Sequence, residues 1–220
     1  TSKFGIYTYT GNGTSGATIA HGLGVVPEFI LIKRRDNSDD IVMYHKDLGA
    51  TKHIKWRETS RSAATSTAYF NDTTPTTTVF SLGNDTGCNQ NTSTYVAYVW
   101  GGQPGFSHFS KYKGNQDADD GPFVYTGMRP QMVIICRENS DDEIEIYDYK
   151  RVGYNNGNAH LNANLTTAED TTGNRVHFYS NGFKILTGSS GPTNANDAPY
   201  YTMAWGQSLV GSNGVPCTAR

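Results

Sequence analysis

The sequence repeats itself imperfectly at a spacing of about one hundred residues. Comparing the chain with itself at an offset of 103 residues brings identical residues together over about 35 positions. These pairs include Tyr9 with Tyr112, Gly11 with Gly114, Asn12 with Asn115, Gly24 with Gly127 and Pro27 with Pro130. The offset grows to 105 at Trp100 and Trp205, which small insertions in loops explain. Such self-similarity predicts two tandem units, residues 1–105 and 106–208, followed by a C-terminal tail, residues 209–220.

The apolar residues of each copy follow a pattern that favours β-strands. Two equivalent runs, EFILIKR at residues 28–34 and QMVIICR at residues 131–137, are rich in Ile and Val and too short for ordinary helices. Each run leads into a polar turn, RDNSDD or RENSDD, and then into a second apolar segment. Asp, Asn and Ser bond to their own backbone in turns, so both sites predict a β-hairpin. Further strands are predicted at KHIKW, TTTVFSL, TYVAYVW, RVHFYS, GFKIL and YYTMAW.

Many short strands separated by polar loops are typical of β-sandwiches and jelly rolls. The segments ETSRSAATSTA and NANLTTAED could each hold a helical turn, although Thr makes both poor helix formers. We therefore predict an all-β fold built from two tandem β-sandwich or jelly-roll-like units with long polar loops. A single sandwich assembled from both copies is the alternative.

The composition excludes several classes of protein. Aromatic residues make up 12% of the chain, which is too much apolar surface for a disordered polymer to leave in water. A net charge of -2 provides no basic field for a phosphate backbone, so we expect no nucleic-acid partner. No run of 18 apolar residues occurs, and we expect no membrane insertion. The chain begins with Thr1 rather than Met; we expect the end of a longer polypeptide, with a processed product as the alternative.

Three cysteines, Cys88, Cys136 and Cys217, cannot all pair within one chain, and none has the spacing of a zinc site. A disulfide scaffold or structural zinc is therefore not expected. Cys136 lies in the apolar run MVIIC and is predicted to be a buried free thiol. Cys217 lies in the tail, where it could contact a neighbouring chain.

The acidic residues of the two turns could supply the carboxylate pair of a glycosidase. They are Asp39 and Asp40 in the first copy, and Asp141, Asp142, Glu143 and Glu145 in the second. Such an enzyme holds its carboxyl groups about 5 to 9.5 Å apart across a cleft. Neighbouring acids in a turn point in different directions and remain solvated, and a hairpin copied with its fold needs no catalytic reason. The interpretation that these acids mark turns is therefore favoured.

Other chemistry-bearing patterns are weak. The loop DADDG offers Asp117, Asp119 and Asp120 as a candidate calcium site, but it lacks EF-hand spacing, so an ordinary acidic loop is favoured. The six histidines are dispersed, which favours packed or single polar roles over metal binding or catalysis. No GxSxG nucleophile motif is present. We expect no catalytic residues, no resident metal and no cofactor.

Sugar binding is the remaining possibility for the surface. Aromatic faces and polar loop side chains together suit saccharides. Trp56, between Lys55 and Arg57 and without a partner in the second copy, is the candidate ligand-binding residue. Trp100 and Trp205 end apolar strands at equivalent positions and are predicted to lie in the core.

Several phrases of the chain resemble an uncharacterised tandem-repeat family found near the C-terminal ends of phage tail and virion proteins, particularly of marine and cyanobacterial phages. The most specific are HGLGVVPEFILIKRR, YHKDLGATK and PFVYTGMRP, and the resemblance covers nearly the whole chain. The second copy departs from the first because YDYKRVGYNNG replaces the phrase with HKDLGATK. The resemblance implies a β-rich virion protein and supplies no catalytic residues.

Resemblance and composition together predict a non-enzymatic phage virion protein. We expect the C-terminal part of a tail fibre, spike or related appendage, assembled in the host cytoplasm and exposed on the virion. Its expected partners are other virion proteins, further copies of itself in a homotrimer, and a host surface glycan or protein. Two alternatives stay open: a capsid-decorating or connector protein, and a tailspike-type glycan hydrolase.

Overall fold

The computed structural model describes residues 2–56, 63–151, 155, 159–172, 175–188 and 191–208. The chain forms two compact units, Thr1–Gly102 (unit 1) and Gln103–Arg220 (unit 2). The division falls three residues before the boundary that the repeat predicts after residue 105. The predicted tail, with Cys217, lies outside the described residues.

Unit 1 consists of antiparallel strands in two sheets. The strands are β1 (Phe4–Thr10), β2 (Ala17–Ala20), β3 (Pro27–Arg34), β4 (Ile41–His45), β5 (Lys52–Lys55), β6 (Ala64–Thr65), β7 (Val79–Leu82) and β8 (Thr94–Gly101). A large sheet has the order β1-β8-β3-β4-β5-β6, and a small sheet pairs β2 with β7. Two single-turn helices, α1 (Thr67–Phe70) and α2 (Thr86–Asn89), complete the unit.

Unit 2 repeats this plan. Its strands are β9 (Ser107–Lys113), β10 (Phe123–Tyr125), β11 (Met128–Arg137), β12 (Glu145–Asp148), β13 (His160–Asn162), β14 (Val176–Tyr179), β15 (Gly182–Ile185) and β16 (Pro199–Ser208). The large sheet has the order β9-β16-β11-β12-β13 when read from the same edge as in unit 1, and the small sheet has the order β10-β15-β14. The copies therefore share the order of five strands in the large sheet and of two in the small sheet. Unit 1 adds β6 to its large sheet, and unit 2 adds β14 to its small sheet.

Each unit has its own hydrophobic core between its two sheets. In unit 1, Ile30 and Ile32 of the large sheet and Phe80 and Leu82 of the small sheet belong to one buried cluster. In unit 2 the equivalent cluster contains Val133, Ile135, Phe183 and Ile185. Burial of each such side chain contributes about 1.5–3 kcal/mol. Two packed sheets per unit confirm the prediction of an all-β, sandwich-like fold.

Both predicted hairpins are present. β3 pairs antiparallel with β4 across RDNSDD, and β11 pairs with β12 across RENSDD. Within the described residues, helical structure is limited to the single turns α1 and α2. α1 overlaps the end of ETSRSAATSTA, whereas NANLTTAED contains no helix and α2 was not predicted. In the described ranges, no helix has the length and apolarity needed to cross a membrane.

Candidate functional site

A pair of stacked tyrosines links the first and last strands of each unit. In unit 1 the rings of Tyr9 and Tyr95 are stacked with centroids 5.1 Å apart, and in unit 2 Tyr112 and Tyr200 are stacked at 5.0 Å. Their hydroxyls bind the loop before the last strand: Tyr9 donates to the Cys88 carbonyl at 2.7 Å and Tyr112 to that of Thr193 at 2.6 Å. Because both copies keep this arrangement, it belongs to the shared frame.

A buried asparagine ties together two loops in each unit. Asn89 accepts a hydrogen bond from the Asn12 backbone N–H at 3.0 Å, and its amide donates to the carbonyls of Gly83 and Thr14. Asn194 repeats this pattern by accepting from the Asn115 N–H and donating to the carbonyls of Thr187 and Asp117. We call the tyrosine pair and the asparagine of each unit the Tyr–Asn clip.

The acids of the hairpin turns pair with the arginine that ends the preceding strand. Arg34 donates to Asp39 at 2.8 Å, and Arg137 donates to Asp142 at 2.6 Å. These carboxylates therefore hold the hairpins closed, which supports the interpretation that they mark turns.

Glu145 requires a correction, because it is not a solvated turn acid. Glu145 is only 1% exposed and lies on the face of β12 that also carries the buried Tyr147. Residues alternate along β12, and Glu145 and Tyr147 share the buried face. Tyr147 donates a hydrogen bond to one carboxylate oxygen of Glu145, and Arg175 donates to the other. Burying a charge is tolerated only where such partners are present.

Two further groups complete an ionic cluster of Glu145, His160, Asp170 and Arg175, in which Glu145 and His160 are buried and the other two are partly exposed. His160 Nε2 lies 3.3 Å from Glu145 Oε1 and 3.8 Å from Asp170 Oδ2. Burial raises the pKa of the Glu145 carboxyl to about 7, against the opposing effects of Tyr147 and Arg175. Burial, aided by the charge of Arg175, lowers the pKa of the His160 imidazole. Burial therefore disfavours the charged forms of both groups.

Unit 1 has an apolar residue at the equivalent place. Val42 pairs with Lys55 as Glu145 pairs with Asn162, and Val42 is fully buried. Unit 1 therefore has no counterpart of Glu145 at this position. The buried members of the ionic cluster, Glu145 and His160, contact partners within unit 2, which indicates a structural role.

The candidate calcium loop is organised by its own backbone. The Asp117 carboxylate accepts the N–H groups of Asp119 at 2.9 Å and Asp120 at 2.8 Å, which lowers its pKa. Asp120 pairs with Lys184 at 3.2 Å. Within the described ranges, no group of three or more acidic, His or Cys side chains is arranged to hold a metal ion.

All three tryptophans lie in environments that differ from the predicted ones. Trp56 is 6% exposed and donates its indole N–H to the sulfur of Met43 at 3.3 Å, so it offers no open face to a sugar. Trp100 and Trp205 are half-buried rather than core residues. The alternation of side chains along β8 explains the position of Trp100. Tyr95, Ala97 and Val99 face the core of unit 1, and Trp100 lies on the opposite side. Cys136, by contrast, is a buried free thiol, as predicted.

An exposed aromatic surface lies on the small sheet of unit 2. Phe123 and Tyr125 of β10 are 47% and 60% exposed, and Tyr179 of β14 is 37% exposed. In one row across the sheet, Phe123, Lys184 and His177 lie side by side; in the next row, Tyr125, Gly182 and Tyr179 do so. Directly paired residues share a face. We call these six residues the aromatic face.

Gly182 allows the rings to approach one another. Phe123 contacts Tyr179 edge to face, with centroids 5.9 Å apart. A Cβ on Gly182 would lie 2.8 Å from the Phe123 ring and 2.2 Å from the Val124 carbonyl oxygen. Phe123 therefore leans over the bare glycine.

The first copy lacks these rings. Phe80 and Leu82 of β7 correspond to Phe183 and Ile185 of β15 in the two cores. Register then equates Thr18 with Phe123 and Ala20 with Tyr125, because Thr18 pairs with Ser81 and Ala20 with Val79. The aromatic face is thus a second-copy feature that is exposed, unlike the ionic cluster.

Sequence reasoning missed the aromatic face. The signal available was the alternation in PFVY and RVHFYS, whose outward positions hold aromatic residues. Exposed rings flanked by charged or polar side chains suit a ligand that has both apolar and hydroxyl-bearing faces.

Comparison with known proteins gives one family match. The family model described as Domain of unknown function (DUF7483) matches residues 1–208. The search of curated proteins finds no match. Among solved structures, the chain is similar to the "Crystal Structure of the STIV MCP", at 9% identity over 93% of this chain and 86% of that chain, with a TM-score of 0.26. A likeness this low carries no argument about fold or function.

Proposed function

The chain belongs to the family described as Domain of unknown function (DUF7483), and we propose that it is a non-enzymatic structural protein of a phage virion that adheres to the host surface. The resemblance to phage tail and virion repeats supports the virion assignment. Its place would be the C-terminal part of a tail fibre, spike or related appendage.

The observation that carries adhesion is the difference between the copies. Both keep the same strand order and the Tyr–Asn clip, which support a stable scaffold. Only the second copy places Phe123, Tyr125 and Tyr179 on an exposed sheet face. Exposed aromatic side chains cost solubility, and a cluster of them marks an interaction surface.

A homotrimer would strengthen such adhesion. One small surface binds weakly, whereas several copies held together convert later contacts into intramolecular events and raise avidity by 10²–10⁴-fold. Sedimentation velocity on the purified chain would give a trimer mass, and a monomer at every concentration would contradict this part of the proposal.

The main test uses the phage that encodes this chain. Gold-labelled antibody against the chain should mark the distal part of the tail in electron micrographs, and excess purified chain should reduce phage adsorption to host cells. Labelling distributed over the capsid shell would favour a decorating protein instead. Failure to compete for adsorption would contradict the adhesive role.

A further inference from the structure

We infer that the aromatic face of unit 2 is a binding site for neutral saccharides. This inference rests on the proposed adhesive function and names its ligand class. The residues concerned are Phe123, Tyr125, Tyr179, Gly182, Lys184 and His177, all on one face of the small sheet.

The exposed rings of the face suit a pyranose ring. Phe123 leans over Gly182 and meets Tyr179 edge to face at 5.9 Å, and Tyr125 pairs with the same glycine from β10. Tyr125 is the most exposed of the three rings, at 60%. An exposed ring face can stack on sugar C–H groups, because this attraction depends on contact between two apolar faces.

The charges on the face favour a neutral ligand. Lys184 is compensated by Asp120 at 3.2 Å and also contacts the Asp119 carbonyl. Burial lowers the pKa of His177, so its imidazole is neutral at neutral pH. The acidic loop that contains Asp117 and Asp119 adjoins Lys184 and would repel an anionic polymer.

Polar groups among the rings favour a saccharide over a protein partner. The buried centre of a protein interface is depleted of Lys and Asp, because both must lose water there. Here Lys184 lies directly between Phe123 and His177, and its partner Asp120 has a side chain that is 92% exposed. An ammonium and a carboxylate beside aromatic rings provide a donor and an acceptor for sugar hydroxyls.

The first copy supplies the variant that tests this inference. Phe123→Thr combined with Tyr125→Ala installs the residues that unit 1 carries at the equivalent positions. Tyr125→Ala alone is the second variant, because this side chain is 60% exposed and its loss leaves Phe123 over Gly182. Phe106→Ala is the matched control, since Phe106 is 40% exposed in the same unit but lies outside the small sheet.

Affinity electrophoresis in gels containing dextran, mannan, galactan or acidic alginate gives the measurement. We expect at least one of the three neutral polymers to retard the wild-type chain, with alginate having little effect. The double variant should lose about tenfold or more in affinity, and Tyr125→Ala a smaller factor in the same direction. Phe106→Ala should migrate like the wild type.

Several outcomes would overturn the inference. These are no retardation by any neutral polymer, equal retardation by alginate, and retention of binding in the double variant. A wild-type self-association that the double variant abolishes would assign the face to a second copy of the chain instead. Host-cell adsorption separates the two proposals: if the double variant still competes with phage, adhesion stands and the aromatic face is excluded. If the wild type does not compete, adhesion itself fails.

Discussion

His160 Nε2 lies 3.3 Å from Glu145 Oε1 in the interior of unit 2, where both residues are almost fully buried. Burial raises the pKa of Glu145 from its ordinary value of 4.5 to about 7, while that of His160 is lowered. The folded state therefore holds a proton on Glu145 between pH 4.5 and 7 that the unfolded state releases. The contribution of Glu145 to stability is present below pH 4.5 and is lost as the pH rises through 7.

Glu145→Gln should remove this pH dependence. Gln resembles the protonated acid, so the variant and the wild type should have similar free energies of unfolding at pH 4. At pH 8 the variant should be more stable by about 3 kcal/mol, since it carries no buried charge. Urea unfolding of both proteins at the two pH values gives their free energies of unfolding. His160 is present in both proteins, so its opposite contribution cancels when the variant is compared with the wild type. A pH-independent effect of Glu145→Gln would contradict the prediction.

The asparagine of the Tyr–Asn clip should not tolerate a carboxylate. In Asn194→Asp a carboxylate oxygen replaces the amide nitrogen that donates to the carbonyls of Thr187 and Asp117. The resulting repulsion and lost hydrogen bonds should cost about 3 kcal/mol, with partial recovery in acid as the new carboxyl is protonated.

Asn89→Asp should have a similar effect in unit 1, because Asn89 makes the same contacts. Asn91→Asp, at an exposed position, is the control. Thermal unfolding followed by circular dichroism measures all three. A melting temperature of Asn194→Asp equal to that of Asn91→Asp would show that the clip contributes little.

Gly11 and Gly114 should resist even alanine. A Cβ on Gly11 would lie 2.2 Å from the Gln90 carbonyl oxygen, and one on Gly114 would lie 2.2 Å from that of Ala195. Because these contacts are with backbone, each Ala variant should lose about 2–3 kcal/mol. Gly22→Ala is the control, since a Cβ there meets nothing within 4 Å. Equal stability of Gly11→Ala and Gly22→Ala in urea would contradict this prediction.

Calcium should not bind the Asp117 loop. The Asp117 carboxylate already accepts two backbone N–H groups, and Asp120 pairs with Lys184. Millimolar calcium and chelator should therefore give the same melting temperature by scanning fluorimetry. Asp117→Ala should lower that temperature, whereas Asp117→Asn keeps an acceptor oxygen and should lower it less. A calcium-induced rise in the wild type that Asp117→Asn abolishes would establish a metal site.

The core strands and their hairpins were predictable because their signal is local. β3 and β11 are continuous apolar runs, and the Asp, Asn and Ser between the strands specify turns by their own backbone bonds. The edge strand β1 was not predicted. Its residues alternate between exposed and half-buried, and its outward positions include Thr8 and Thr10, so its hydrophobic pattern is weak.

The sites could not be predicted from the sequence, because they depend on pairing between residues that are far apart in it. Glu145 reads as one more acid after a turn until β12 is placed beside β13 and Arg175 reaches it from 30 residues away. Phe123 and Tyr179 are far apart in the sequence of unit 2. They come together only because β15 lies between their strands and pairs with both. Trp56 was the candidate ligand-binding residue because it lies between two charged residues, but its ring packs inward against Met43.

The bare backbone at Gly182 divides the aromatic face into fixed and variable positions. A Cβ there would lie 2.2 Å from the Val124 carbonyl oxygen, so glycine fits the backbone of unit 2 as it stands. Val79 occupies the equivalent position of unit 1, opposite Ala20, so a larger residue needs a different approach of the two strands. Phe123, Tyr125 and Tyr179 are exposed and can change without disturbing the core. On the proposed adhesive function, new ligand specificities would therefore arise by exchanging the exposed rings, while Gly182 and the scaffold stay unchanged.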